Sequence, residues 1–422
     1  MSARYSRGQL GAAEKACGHL KLYAGRPIRH FARSDAGASN NHASAEQRKA
    51  IYKAVAHSPV LLPEMNIHAA TRSYEHWMHD CGPVVERHLQ YKHAKMKKDP
   101  FQFFRGSYYR WAQTWAAIVP ECADAPIVLA IGDLHVDSYG TWRDAEGRLC
   151  WGVDDFDESH PLPYTNDLIR LASSVKIARK LGLMKVKTRA ACEVILEGYR
   201  RSLKDGGCPI VLAESETDLE RLGIEALKAP TDFWEKLNER PAYSQVVPRD
   251  ARHCLVRALP HKDLKYRIIQ REAGLGSLGQ QRFVAIAHCD GGYVAREAKR
   301  VVPSASVWLR GRIACRQSYY QQVMNSALRS RDPYQKIWRS WLIRRLSPDS
   351  NPIKIEELPV KRDEDTLLRA MGSEAANVHL GTQRGRAKML LKDLDTRKAD
   401  WLHSAALQMA KRTIREWKEY RA

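Results

Sequence analysis

The stretch Ile131–Ser159, IGDLHVDSYGTWRDAEGRLCWGVDDFDES, concentrates the chemistry of this chain. An apolar run, Pro126-Ile-Val-Leu-Ala-Ile131, reads as a buried strand and ends directly in Gly132-Asp133-Leu134-His135. A polar turn at Asp144 to Arg148 separates it from a second strand, Leu149 to Val153, which ends in Asp154-Asp155-Phe156-Asp157-Glu158. If the two strands are adjacent, Asp133, Asp137, Asp154, Asp155, Asp157 and Glu158 meet at one end of a sheet. Carboxylates packed this way repel one another unless a cation sits among them. Oxygen ligands of this type suit Mg²⁺, which also favours phosphate oxygens as co-ligands. A salt-bridged surface turn is the plainer alternative, and the apolar strands argue against it.

Helices are expected on both sides of this segment. The pattern from about Ala45 to Tyr91 is helical, interrupted by Pro59 and Pro63. An aromatic cluster follows, Phe101-Gln-Phe-Phe-Arg105-Gly-Ser-Tyr-Tyr-Arg-Trp111. Most of it reads as core, but Arg105 beside Gly106 suits a guanidinium placed on a phosphate. Downstream, Asn166 and Asp167 are good N-terminal residues for a helix running to about Lys180 with an apolar face. Residues 1–45 are poor in acids and lack periodicity, and are expected to form a flexible tail.

Composition narrows the function classes. The 422 residues are 44% hydrophobic and 28% charged, an ordinary globular balance. No apolar run reaches the roughly 18–20 residues that a membrane helix needs. Nine cysteines stand singly with no CxxC pair, which disfavours a disulfide framework or structural zinc, and a cytoplasmic location is the expectation. The net charge of +21 attracts anions such as nucleotides, phosphorylated substrates or nucleic acid. No aromatic platform or KH-type loop supports RNA binding, so nucleic acid is the weaker partner class.

Gly132-Asp133-Leu134-His135 followed by Asp155-Phe156-Asp157 resembles the GDxHxxN…DF pair of aminoglycoside-phosphotransferase and choline-kinase-like proteins. The run from Phe103-Phe104-Arg105-Gly106 through Asp155–Glu158 to Asp167-Leu-Ile-Arg-Leu171 more closely resembles a bacterial family of unknown function, number 2252, within the protein-kinase-like group. The resemblance extends more weakly over about residues 95–385. It implies that Asp133 accepts the proton of an acceptor hydroxyl, that His135 braces the loop, and that Asp167 anchors it. It also implies that Asp155, helped by Asp157, holds Mg²⁺. The family has Asn at the second metal position, where this chain has Ser138, a poorer ligand that neighbouring Asp137 could replace.

The nucleotide element is expected at Gly274-Leu-Gly276-Ser277-Leu-Gly279. A GxGxxG alone is as often a tight turn as a phosphate cradle, and a Rossmann reading needs a helix directly after it. Here Phe283–Ala287 reads as a strand, then Asp290-Gly-Gly as a hairpin turn and Tyr293–Ala298 as another strand. Strand, glycine loop, strand, turn, strand is the order of a kinase glycine-rich loop. The phosphate-facing cation on the third strand is then Arg296, where the family has lysine. Lys299 falls on the opposite face by period-two alternation. No Asp or Glu occurs between Ala298 and Arg331, so the glutamate that normally holds this cation from a helix is missing. The glycine loop also follows Asp133 by about 140 positions, the reverse of the usual order.

The sequence therefore predicts an α+β, bilobal, protein-kinase-like fold, circularly permuted. Its expected parts are a catalytic, metal-binding half over 46–205, a helical connector over 206–262, an antiparallel nucleotide lobe over 263–350 and C-terminal helices over 351–422. A strand at Ile337–Leu346 would lead to an adenine-reading hinge near Arg345–Ser347, and His379 reads as a packing histidine. The expected function is transfer from Mg-ATP or Mg-GTP to an unidentified small-molecule or protein acceptor. Ser138, Arg296 and the missing glutamate keep a catalytically impaired, nucleotide-binding pseudokinase as the alternative, and a basic nucleic-acid-binding protein as a third reading.

Overall fold

Helix α1 (Ile67–Cys81) starts where the Asn66 side chain accepts the Ala69 N–H at 2.8 Å, and α2 (Glu86–Lys98) follows. Asp99 caps the short α3 (Pro100–Gly106) by accepting from Phe101 and Gln102, both at 2.9 Å. The aromatic cluster continues as α4 (Tyr108–Ile118) and a single turn, α5 (Pro120–Ala123), and its rings form much of the core. The computed structural model describes residues 65–422 apart from 213–218, 220–226, 228, 312–317, 351, 359–362 and 383–384, and the expected tail over 1–45 lies outside these.

Two small antiparallel sheets carry the acidic segment. Strand β1 (Ile127–Ala130) pairs with β4 (His160–Pro163), while β2 (Tyr139–Arg143) pairs with β3 (Leu149–Val153) across the turn at 144–148. The two strands that end in acids are therefore not partners. A strand at 139–143 intervenes, and the acid-bearing loops meet instead through Asp154 N–H donating to the Ser138 carbonyl at 3.1 Å. Helix α6 (Tyr164–Lys180) leaves β4 directly and is buried over most of its length. Helix α7 (Thr188–Asp205) follows. Its Gly198 and the Gly372 of a later helix sit where the two helices meet. A Cβ on either would come within 2.0–2.1 Å of a carbonyl of the other.

After α8 (Pro230–Asn238) and α9 (Arg249–Ala258) comes a five-stranded antiparallel sheet, order β5-β6-β7-β9-β8. Its strands are β5 (Tyr266–Gln270), β6 (Arg282–Cys289), β7 (Gly292–Arg300), β8 (Lys336–Trp338) and β9 (Trp341–Leu346). The β6–β7 hairpin turns at Asp290-Gly291 with φ of 49° and 85°, which suits Asp-Gly. The expected single strand at Ile337–Leu346 is instead the β8–β9 hairpin, turning at Arg339 with φ 53°. One face of the sheet packs Phe283, Ala285, Ala298 and Ile343 against Ala251, Cys254 and Leu255 of α9. The other packs Val284, Ile286 and Ala295 against Phe233 and Leu237 of α8. Further along β7, Glu297 and Lys299 share that second face.

Two short turns, α10 (Ala305–Trp308) and α11 (Tyr320–Ser326), connect β7 to β8. The C-terminal helices are α12 (Glu364–Thr382), α13 (Ala387–Thr396) and α14 (Trp401–Arg421); α12 packs along α7, and α14 along α6. Helix makes up 51% and strand 17% of the described residues, an α+β composition. Among the described residues no helix is long and apolar enough to cross a membrane.

Candidate active site

The loop after β1 is held by a buried carboxylate. Asp167, in the first turn of α6, accepts the N–H groups of Ile131 at 2.7 Å and Gly132 at 2.9 Å. His379 Nε2 lies 3.0 Å from the same carboxylate, and Tyr199 Oη lies 2.8 Å from His379 Nδ1. His379 is thus a fully buried support for Asp167 rather than a ligand-facing residue. Gly132 has φ 86°, and a Cβ there would lie 2.3 Å from the Glu158 carbonyl. Only glycine lets the two acidic loops approach this closely.

Asp133 projects from this loop into a cleft. Both Nε (2.6 Å) and Nη2 (2.5 Å) of Arg170 contact its Oδ1. The Arg170 guanidinium is buried among Phe104, Tyr108 and Trp111, 4.0–5.0 Å from their ring centres. Burial pushes Asp133 above the usual carboxylate range, with Arg170 opposing. His135 sits beside it, Nε2 4.0 Å from Asp133 Oδ1, while its Nδ1 accepts the Asp137 N–H at 3.1 Å. Burial, reinforced by Arg105 and Arg170, holds His135 well below its ordinary value, so it is neutral. The Ser138 hydroxyl is engaged locally, accepting from His135 N–H at 2.9 Å and donating to the Asp133 carbonyl at 3.0 Å. Asp137 is bound by Arg105 at 2.9 Å and by the Ile355 N–H at 2.8 Å.

The second acidic loop faces the five-stranded sheet. Lys299 Nζ contacts Asp155 Oδ2 at 3.3 Å and also binds Asp157, so an ammonium group stands between the two carboxylates. Burial raises both acids. The Lys299 charge and the Asp157 N–H outweigh it at Asp155 and draw that residue down, whereas burial and the Asp155 charge push Asp157 up to about 6. Burial pushes Asp154 up to about 6 as well, and Glu158 up to about 8. Glu158 Oε2 accepts the Ala305 N–H at 2.7 Å. The expected repulsion among the acids is therefore opposed by side-chain cations, Arg170 on Asp133, Arg105 on Asp137 and Lys299 between Asp155 and Asp157. One buried oxygen, Asp157 Oδ1, has no hydrogen-bond partner. Among the described residues, the three-ligand group close enough to share a cation is His261, Cys289 and Asp290, near the β6–β7 turn and outside the cleft.

The glycine segment closes the cleft from the sheet side. It is a series of turns, Ser277 N–H to Gly274 O at 3.2 Å and Leu278 N–H to Leu275 O at 3.3 Å, leading into β6. Lys92 donates to the Gly276 carbonyl at 2.9 Å, and Val85 N–H donates to Gly279 O at 2.8 Å. A Cβ on Gly276 would stand 3.6 Å from Asp133 Oδ2 and 3.5 Å from the Arg105 carbonyl. Two motifs about 140 positions apart thus face each other across one cleft.

Of the site residues expected from sequence, Asp133, His135, Ser138, Asp155 and Asp157 line the cleft, as do Gly274, Gly276, Ser277 and Arg105. Two do not. Gly279 packs against Leu89 and Met78. Arg296 lies on the α9 face of β7, donating to the Ala258 carbonyl at 2.8 Å and stacking 4.5 Å from the Tyr334 ring centre. Lys299, three positions on and therefore on the opposite face, lines the cleft against the acids, as does Arg300 at the end of the strand. Arg345, expected near an adenine-reading hinge, shares the Tyr334 ring with Arg296 and faces a smaller neighbouring pocket. Sequence reasoning also gave no role to Arg170, Lys92, Arg271, Arg282 or Arg344, which line the cleft or secure its residues. A signal was available for Glu297: an acid in an apolar strand requires buried cations around it.

Comparison with the curated proteins and with the solved structures returned no match. A family model does match, over the part of the chain that contains Asp133, Asp155, Asp157 and Arg170: residues 84–229 match the model of the family described as an uncharacterized protein conserved in bacteria, DUF2252.

Proposed function

We propose that this cleft binds a nucleoside triphosphate with Mg²⁺ and transfers a phosphoryl or nucleotidyl group to an acceptor hydroxyl at Asp133, in a permuted, bilobal, kinase-like arrangement. The observation that carries the reading is the approach of the Gly274–Gly279 turn to Asp133, with Lys299, Asp155 and Asp157 in the same cleft. Glycines over a ligand admit close backbone approach, and an acid beneath them can orient a hydroxyl and accept its proton. The buried, unpartnered Asp157 Oδ1 beside Asp155 suits a hard cation. Asp155 and Asp157 would hold Mg²⁺, which supplies neutralisation of phosphate charge. Asp133, fixed by Arg170 through one oxygen, keeps the other toward the glycine turn. Catalysis of this kind rests on positioning and electrostatics.

The pseudokinase reading has its own support in the Lys299 ammonium between the two acids and in the local bonds of Ser138. Turnover separates the two readings. Thermal shift with ATP and Mg²⁺ should be metal-dependent in wild type and lost in Asp155→Ala. Asp133→Ala should keep the shift and lose transfer to acceptors or water. A shift without turnover in wild type favours the pseudokinase. No shift under any condition, together with salt-dependent RNA binding, would favour the nucleic-acid reading.

A further inference from the structure

Beneath the glycine turn lies a cluster of arginines gathered on one buried glutamate. Glu297 on β7 is fully buried and receives three arginines, Arg271 at 2.8 Å, Arg344 at 2.6 Å and Arg282 at 3.2 Å. These come from three places, the residue just after β5, the start of β6 and strand β9. Together they hold Glu297 well below the usual carboxylate range, against its burial, so it remains ionised. Three guanidinium groups share this one carboxylate. Lys299, next on the same face, lies against Asp155 and Asp157, and these acids also lie in the field of Arg282.

The three arginines also line the cleft. Arg282 Nη2 donates to Ser277 Oγ at 3.0 Å, and a Cβ on Gly274 would stand 3.2 Å from the same nitrogen. A guanidinium therefore lies directly under the turn, oriented by Glu297 from behind. Guanidinium groups clustered along a cleft attract an anion that reaches them, and their planar geometry matches phosphate oxygens.

We propose that Arg271, Arg282 and Arg344, organised by Glu297, are the phosphate-binding element of this cleft and take the polyphosphate chain of the nucleotide. The inference rests on the nucleotide reading above, and assigns to a glutamate-centred arginine cluster the role expected of Arg296.

The test is calorimetric titration of the full chain with sodium tripolyphosphate, adenosine and ATP, with transfer from ATP measured in parallel. Wild type should bind tripolyphosphate without divalent metal. Arg282→Gln should weaken that binding about tenfold or more, the scale of one lost charge-assisted contact. Arg296→Gln should leave it unchanged, and adenosine binding should not respond to Arg282→Gln. Arg271→Gln, which leaves Glu297 two arginines, serves if Arg282→Gln does not fold. Wild type that ignores tripolyphosphate, or folded variants that bind it undiminished, would overturn the assignment. Binding lost in the arginine variants without any ATP transfer by wild type would sustain the anion site and sink the transferase reading. Transfer that is indifferent to Arg282→Gln would do the reverse.

Discussion

Arg170 grips one oxygen of Asp133 through two nitrogens, at 2.6 and 2.5 Å, and leaves the other oxygen toward Gly276. The orientation of the candidate base is thus set by a cation that is itself 0% exposed and enclosed by aromatic rings. Arg170→Lys keeps the charge but loses the planar grip and the stacking. Transfer should fall by about 100-fold, the cost of a misplaced reacting group. Arg170→Met leaves Asp133 without its principal cation, and denaturant unfolding should show a loss of about 3 kcal/mol.

The glycines of the cleft separate into two classes. Gly132→Ala meets a carbonyl at 2.3 Å and a left-handed backbone. Thermal denaturation should show a fall in Tm of roughly 8 °C or more, from a loss of several kcal/mol. Gly276→Ala meets nothing closer than 3.5 Å. Its Tm should stay near wild type while nucleotide KM rises, because the new methyl intrudes only on the ligand's space.

On the proposed reading, Lys299 would compete with a divalent cation for Asp155 and Asp157. Replacing it with methionine, nearly isosteric and uncharged, removes the competitor. The Mg²⁺-induced rise in Tm without nucleotide should be larger in Lys299→Met than in wild type, at the cost of a lower metal-free Tm from two less compensated carboxylates.

Acid sensitivity follows from His160, which opens β4. Burial, with Arg310 adding, holds its ring well below the ordinary histidine value. A histidine whose folded pKa is depressed binds fewer protons in the native state than in the unfolded one. Its contribution is present above about pH 6.5 and is lost as pH falls below that value toward the folded pKa, at a limiting slope of about 1.4 kcal/mol per pH unit. His135 is depressed in the same direction. Between pH 7 and 5 the Tm of wild type should therefore fall more than that of His160→Gln, as followed by circular dichroism.

Much of the local architecture was legible in the residues. Asp290-Gly-Gly between alternating runs marked the β6–β7 hairpin, and the absence of a helical pattern after Gly279 excluded a dinucleotide-type turn. What escaped notice has physical reasons. Tyr139–Trp142 is buried on both sides, so this strand carries no alternation. The β8–β9 turn uses Arg339 at positive φ, a residue that gives no turn signal. Parity along β7 separates Arg296 from Lys299, but which face meets the cleft depends on where α8 and α9 pack. Arg170 illustrates the same limit in the site: its spacing from Asp167 marks it as helical, while its grip on Asp133 exists only in three dimensions.

The glycine turn is tied down on both flanks, at Gly276 by Lys92 and at Gly279 by Val85. Both ties run to one region, helix α2 and the residue just before it. These two hydrogen bonds oppose lifting of the turn as a flap. The cleft then behaves as a slot of fixed height, filled from its open side. Its selectivity would come from the thickness of what slides in rather than from a closing motion. The Val85 amide proton, donated to the Gly279 carbonyl, should accordingly exchange slowly with deuterium whether or not a ligand is bound.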